Sequence, residues 1–182
     1  MKRISTVKEL IISAGFAALL FVSAIIAAFA IYPIVLIPGL TTLAMLIVYS
    51  YMFTIGLLVV RKTGAATIIL PIVGILAPSG VGILLGVTIL IPGIVAVELL
   101  LIMTNYRKAA YILATPLFIL VVVPFWLFVL LKMGFPLADV TRKYIWPILL
   151  IGLIEAFIGG YLAHLTYEKK LKNLKVVRQL QG

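Results

Sequence analysis

Long apolar segments alternate with short polar stretches along the chain. Most of the apolar segments are roughly 20 residues long, the length at which an α-helix crosses a hydrocarbon core of about 30 Å. Proline, glycine and basic residues interrupt the pattern and mark the turns. The pattern predicts six transmembrane helices and a basic tail, with the helices at about 10–31, 41–60, 64–77, 82–103, 109–131 and 144–167 and the tail over 168–182.

The basic residues indicate which ends of the predicted helices share a side of the membrane. Cytoplasmic loops collect Lys and Arg, whereas apolar spans tolerate almost none. Fifteen Lys and Arg residues are present, and all but three fall in clusters that alternate with pairs of apolar segments. We therefore expect both termini on the cytoplasmic side. The inner clusters are Lys2, Arg3 and Lys8; Arg61 and Lys62; Arg107 and Lys108; and Lys169, Lys170, Lys172, Lys175 and Arg178, while Lys132, Arg142 and Lys143 lie outside.

Composition agrees with a single membrane-embedded unit. Hydrophobic residues make up 65% of the chain and the mean hydropathy is +1.33, well above the values of soluble domains. The net charge of +10 suits anionic lipids and acidic cytosolic partners rather than nucleic acid, because the basic residues stand at the ends of apolar segments. The chain has no cysteine, no phosphate-binding loop and no two-histidine zinc motif. We therefore expect neither an enzyme nor a bound cofactor or metal.

The first apolar segment has an alternative interpretation as a secretory signal. Lys2 and Arg3 precede it, and Ala28-Phe29-Ala30 resembles a small-x-small cleavage site. The apolar stretch is longer than the roughly 7 to 15 residues of a signal peptide core. A retained first helix is the favoured interpretation.

Two carboxylates, Glu98 and Glu155, lie deep inside predicted spans. A charged group in the bilayer is costly, so such residues normally face the bundle interior or a wet cavity. Glu98 precedes Arg107 by nine residues, and Glu155 precedes His164 by nine, which places both roughly 13 Å from the inner boundary. They are candidates for one site that binds a cationic or hydrogen-bond-donating solute. Alternatively, each carboxyl is protonated and bonded to neighbouring backbone or a tyrosine hydroxyl.

Small residues recur at helical spacing in the first segment. Ala14 and Ala18, with Ser13 and Ala17 beside them, form a small-xxx-small face in its cytoplasmic half. Such faces allow helices to approach closely in lipid. The face serves either packing within the bundle or the docking of another subunit.

Aromatic residues gather toward the predicted outer side. Tyr32, Trp126, Tyr144 and Trp146 belong to this group. An interfacial aromatic belt is one explanation. If the rings point inward they would instead stack on a planar solute, beneath a lid formed by residues 33–41 and a loop over 133–143.

The segment from Val60 to Ala66 and the Gly93-Ile94-Val95-Ala96-Val97-Glu98 stretch carry a family resemblance. With Ala14 and Ala18 on the first helix, they resemble the substrate-binding S-components of energy-coupling factor (ECF) transporters. The similarity is to the branch linked to hydroxymethylpyrimidine and thiamine. That branch tends to carry an acidic residue in the third helix, whereas the third segment of this chain has none.

The resemblance implies a vitamin or vitamin-precursor importer in the plasma membrane of a bacterium or archaeon. Its solute is captured from outside, and its partners are a transmembrane coupling protein and two ATPase subunits. Two other classes stay open on the sequence: a small independent secondary transporter or channel, and a non-catalytic membrane scaffold. Solute uptake by the protein without any ATPase would indicate an independent transporter or channel. Absence of solute binding would indicate a scaffold.

Overall fold

The computed structural model describes residues 7–31, 40–76, 83–134, 138–175 and 177–178. Within these ranges the chain forms six α-helices and no strand, which confirms the all-α prediction. A single π-helical turn extends the last helix toward the tail. The elements are α1 (Val7–Ile31), α2 (Leu40–Val60), α3 (Ala65–Leu76), α4 (Ile83–Met103), α5 (Lys108–Lys132), α6 (Ala138–Thr166) and the π-helical turn (Tyr167–Leu171).

One helix departs clearly from its predicted bounds. The sequence predicts a loop over 133–143, but α6 begins at Ala138 and makes the second half of that segment helical. Asp139, Arg142 and Lys143 ended the apolar run in the sequence. Polarity marks where a helix leaves an apolar environment, not where its backbone hydrogen bonds end. The connection between α5 and α6 is therefore shorter than predicted.

The six helices form a closed ring. In the order α1, α2, α6, α5, α4 and α3, each helix packs against the next, and α3 packs against α1 to close the ring. The helix α2 also contacts α3 and α5, so it lies nearest the middle of the bundle. All eight residues from Phe53 to Val60 are buried. The C-terminal half of α2 is therefore the centre of the core.

Two close contacts fix α6 against its neighbours. A methyl group at Gly159 would collide with the backbone carbonyl of Ile47 and with Ser50, and one at Gly160 would come within 2.8 Å of the carbonyl oxygen of Ile112. The Ser50 hydroxyl donates a hydrogen bond to the carbonyl of Ala156. Small residues at consecutive positions thus let α6 pack directly on the backbones of α2 and α5.

Two stretches of the described helices are long and apolar enough to cross a membrane, Lys108–Val129 and Leu149–Leu171. Shorter apolar stretches lie at Leu46–Val60 and Val87–Met103. Large apolar side chains are exposed on the outside of the ring, including Ile11, Ile26 and Leu150, each more than 60% exposed. The surface is therefore suited to an apolar surrounding on several of its helices.

Candidate functional site

A four-residue turn joins α2 to α3 and forms the centre of a polar network. It comprises Arg61, Lys62, Thr63 and Gly64. Arg61 has φ of 46° and Gly64 has φ of 93°, so the chain reverses through two left-handed residues. A residue with a Cβ atom rarely adopts this conformation, and its presence at Arg61 means that surrounding contacts hold the turn in place.

Glu98 on α4 supplies one of those contacts. Its two carboxylate oxygens each accept a hydrogen bond from the backbone N–H of Gly64 at 3.1 Å. Its Oε1 atom also accepts the N–H groups of Ala66 at 3.0 Å and Thr67 at 3.4 Å. The first N–H groups of a helix have no partner within the helix, and the helix dipole favours negative charge beside them. Glu98 therefore caps α3 from a different helix.

This arrangement shares one feature with the alternative interpretation of a protonated, backbone-bonded carboxyl, because Glu98 bonds to backbone; all of these bonds are accepted by its oxygens. It gives the carboxylate a structural role without any solute. The acceptors used in the cap are the same atoms that a cationic solute would need. Direct contact between Glu98 and a solute stays a prediction.

The same turn is held from its other side by an ion pair. Lys62 donates from its Nζ atom to the Oε1 atom of Glu9, near the start of α1. Both side chains are largely buried, with exposed fractions of 10% for Lys62 and 7% for Glu9. The Ser13 hydroxyl donates to the Glu9 carbonyl at 2.9 Å. The ion pair thus joins α1 to the α2–α3 turn.

A third contact joins this turn to the turn between α4 and α5. The hydroxyl groups of Thr63 and Tyr106 form a hydrogen bond at 2.6 Å. Tyr106 and its neighbour Asn105 have φ of 57° and 50°, so this second turn is also left-handed. Burial raises the pKa of the Tyr106 hydroxyl, the bond to Thr63 opposes this rise, and the Glu98 charge adds to it. Tyr106 therefore stays protonated and able to donate.

Glu155 has a different environment from Glu98. It lies on the stripe of α6 that includes Gly159 and Thr166, which contact α2. Its Oε2 atom is buried, and no hydrogen-bond partner reaches it from the described residues. Glu98 is directed to α3 and Glu155 to α2. The shared cavity predicted for the two carboxylates stays a prediction, but an unpartnered buried carboxyl oxygen makes Glu155 the stronger candidate for contact with a ligand.

The predicted aromatic group is only partly described. Trp126 on α5 is 38% exposed, and Trp146 on α6 is 77% exposed. Such exposure fits rings of an interfacial belt. Tyr144 lies in α6, but its side chain is not among those described, and Tyr32 lies outside the described residues. Contact of these four rings with a solute stays a prediction.

The small residues of α1 divide between two faces. Ser13 and Ala17 are fully buried, whereas Ala14 is half-buried and Ala18 is exposed. Packing within the bundle therefore accounts for Ser13 and Ala17 but not for Ala18. A shallow, wide-open apolar depression of about 470 Å³ lies on the outward face of α1, and we call it the α1 groove. It is lined by Ile12, Gly15, Phe16, Ala18, Leu19 and Val22.

Sequence reasoning missed the ion pair of Glu9, and it did not identify the start of α3 as the group that Glu98 caps. The sequence did offer a local candidate for the cap of α3, because Thr63 and Gly64 precede the helix and both residue types are common N-caps. The Thr63 hydroxyl is taken by Tyr106, so the donors of α3 need an acceptor from elsewhere. Among the described residues, no cluster of acidic or histidine side chains has an arrangement that could hold a metal ion.

No family model, no curated protein and no solved structure matches this chain.

Proposed function

We propose that this protein is the solute-capture subunit of an ECF-type importer, with six transmembrane helices and both termini in the cytoplasm. Its solute is a vitamin or vitamin precursor, with a thiamine- or hydroxymethylpyrimidine-like compound as the first candidate. It operates in the plasma membrane of a bacterium or archaeon. A transmembrane coupling protein and two ATPase subunits supply the energy.

The outward face of α1 is the observation that carries this proposal. Gly15 and Ala18 are exposed and line this apolar groove, although Ser13 and Ala17 pack inward on the same helix. A helix that served only its own bundle would gain nothing from small residues on its outer face. In lipid, small residues allow a partner helix to approach closely and gain packing energy. The groove is suited to an apolar transmembrane helix of another subunit.

The described polar groups support a division of the molecule into two ends. The contacts of Glu9, Glu98 and Glu168 bring four parts of the chain together at one end. These parts are the start of α1, the turn with Arg61, the turn with Arg107 and the end of α6. This end is firmly cross-linked and basic, which suits the cytoplasmic side. Solute capture is assigned to the opposite side of this network, with Glu155 as its candidate carboxylate, because the buried Glu155 Oε2 atom has no partner among the described residues.

Solute capture is tested by titrating the purified protein with thiamine, hydroxymethylpyrimidine, riboflavin and biotin in detergent. We expect one of them to bind more tightly than about 1 mM, and Glu155→Gln to weaken a cationic ligand about tenfold or more. Isothermal calorimetry or tryptophan fluorescence gives the affinity. The absence of any such binding would count against solute capture. Uptake into liposomes that contain only this protein would favour an independent transporter instead.

Docking is tested by a bulky substitution in the α1 groove. Ala18→Trp fills the groove without touching the buried face of α1, so we expect the folded protein to lose co-purification with its ATPase and coupling subunits. Ile154→Trp is the matched control, because Ile154 on α6 is also exposed, at 54%, and lies on a helix that does not flank α1. Equal subunit recovery with Ala18→Trp and wild type would remove α1 from the docking surface.

A further inference from the structure

The segment after α6 is held against the basic end of the bundle. The described part of the basic tail is 168–175 and 177–178, and Tyr167 directly precedes it. Tyr167 and Val177 are 4% and 5% exposed and belong to the same core as α2, and Leu171 packs against this core. Two apolar positions of the tail, Leu171 and Val177, thus pack on protein. The tail is therefore a positioned surface rather than a loose extension.

An acidic residue neutralises part of the positive charge near the tail. The Glu168 carboxylate pairs with Lys108 on α5 at 2.8 Å and with Lys172 at 3.1 Å. Glu168 is the only acidic residue of the sequence after Glu155, so the tail has no second carboxylate to offer. The pair with Lys108 also fixes the tail to the start of α5.

Three lysines of the tail have no acidic partner among the described residues and are available to an external anion. Lys169, Lys170 and Lys175 are exposed, and none has an acidic partner among the described residues. The exposed guanidinium groups of Arg61 and Arg107 lie on the two turns at the same end of the bundle. The whole surface therefore carries an uncompensated positive charge.

The position of the lysines indicates which anion they meet. The apolar stretch that is long enough to cross a membrane continues from α6 through the π-helical turn and ends at Leu171. It ends between Lys170 and Lys175. Leu174 is 50% exposed beside them. Lysine places an apolar stem along hydrocarbon and its ammonium group in the headgroup layer. An exposed leucine among lysines at the end of a span fits a lipid surface better than an acidic protein surface.

We propose that the basic tail binds the phosphate headgroups of anionic phospholipids in the leaflet at its own end of the bundle. This rests on the membrane insertion assumed in the proposed function but not on solute capture. Each lysine near an anionic membrane surface strengthens binding about fivefold. The contacts of Val177 and Glu168 hold the tail in place before lipid binds. Lipid binding therefore does not have to offset the entropy cost of ordering the tail backbone.

The test compares lipid binding by the full chain and by two matched variants. Detergent-solubilised protein is mixed with phosphatidylglycerol or phosphatidylcholine, and bound lipid is measured by native mass spectrometry over a range of lipid concentrations. We expect wild type to prefer phosphatidylglycerol, and K169Q/K170Q to weaken its binding at least tenfold. The control is K132Q/K143Q, which removes the same charge at the other ends of α5 and α6 and is expected to keep the preference.

Each other result would overturn the proposal. Equal binding of the two lipids by wild type, or an unchanged preference in K169Q/K170Q, would remove the tail as the site. An equal loss of phosphatidylglycerol binding in K132Q/K143Q would show that the preference depends on net charge and not on the tail. Tighter binding of a soluble polyglutamate peptide than of phosphatidylglycerol would indicate a protein partner. Release of the chain from membranes by carbonate wash would overturn the proposed function as well, so the two failures are distinguishable.

Discussion

Removing Lys62 from its buried ion pair with Glu9 is expected to destabilise the protein by roughly 3–5 kcal/mol, the usual cost of removing one member of a buried ion pair. Both side chains are at least nine-tenths buried, so water does not replace the lost contact. The variants Lys62→Met and Glu9→Gln test this by thermal or denaturant unfolding in detergent. A double variant, in which neither charge remains, should lose less than the sum of the two single variants.

The two single variants should also differ from each other. When Glu9 is replaced, the long side chain of Lys62 can extend to water from its position in the turn. When Lys62 is replaced, the shorter Glu9 side chain stays enclosed. We therefore expect Lys62→Met to be the more destabilising change.

A second ion pair at the same end is the matched control. Lys108 and Glu168 also join two elements, but the Lys108 side chain is 64% exposed and that of Glu168 is 27% exposed. Exposed pairs contribute little because water screens them. The variants Lys108→Met and Glu168→Gln should therefore change stability much less. If all four single variants lower the unfolding midpoint equally, burial does not determine the strength of the Glu9–Lys62 pair.

Replacing Glu98 with Ala is expected to lower stability by roughly 3 kcal/mol, because each partly buried donor left without an acceptor costs about 1–3 kcal/mol. The affected donors are the partly buried N–H groups of Gly64 and Ala66 and the exposed N–H group of Thr67. Glu98→Gln retains one oxygen as acceptor but loses the charge that the helix dipole favours, so its effect should be about half as large. Unfolding in detergent gives the total effect.

Hydrogen exchange at individual amides provides the specific measurement for Glu98. The amides of Ala66 and Thr67 should exchange faster in Glu98→Ala, whereas amides in the middle of α5 should change only with global stability. Glu155→Gln is the control, because the Glu155 Oε2 atom has no partner among the described residues and its loss should leave stability unchanged or improved. Equal destabilisation by the two Gln variants would contradict the cap.

The same variants separate a structural role of Glu98 from contact with a solute. If Glu98→Gln weakens a cationic solute while exchange at Ala66 stays slow, the carboxylate contacts the solute as the sequence predicted. If solute affinity and amide protection fall together, Glu98 acts by positioning α3. The two outcomes cannot be distinguished by affinity alone.

The helices could be located from sequence because their ends depend on local signals. Apolar runs bounded by proline, glycine and basic residues placed the ends of α1 to α5 within about three residues of the observed positions. The start of α6 at Ala138 was wrong by about six residues. There the helix continues through charged residues, and hydropathy does not record backbone hydrogen bonding.

The candidate site was predictable only as a set of residues. Sequence selected Glu98 and Glu155 because carboxylates inside apolar runs are rare and costly. Their partners were not predictable, since Glu98 binds backbone 34 positions earlier in the chain and Lys62 binds a residue 53 positions earlier. Ser13 and Ala17 look no different in sequence from Ala14 and Ala18. Only the rotation of α1 in the bundle decided which of them are buried.

The sequence by itself determined the helical class, the positions of most helices and the grouping of basic residues at one end, because these depend on composition and on spacing along the chain. The tertiary structure decided what each polar group does. It made Glu98 a cap, buried Glu9 with Lys62, left one Glu155 oxygen without a partner among the described residues, and placed Ala18 on the α1 groove. These outcomes depend on the packing of helices that are distant in sequence, which no local pattern records.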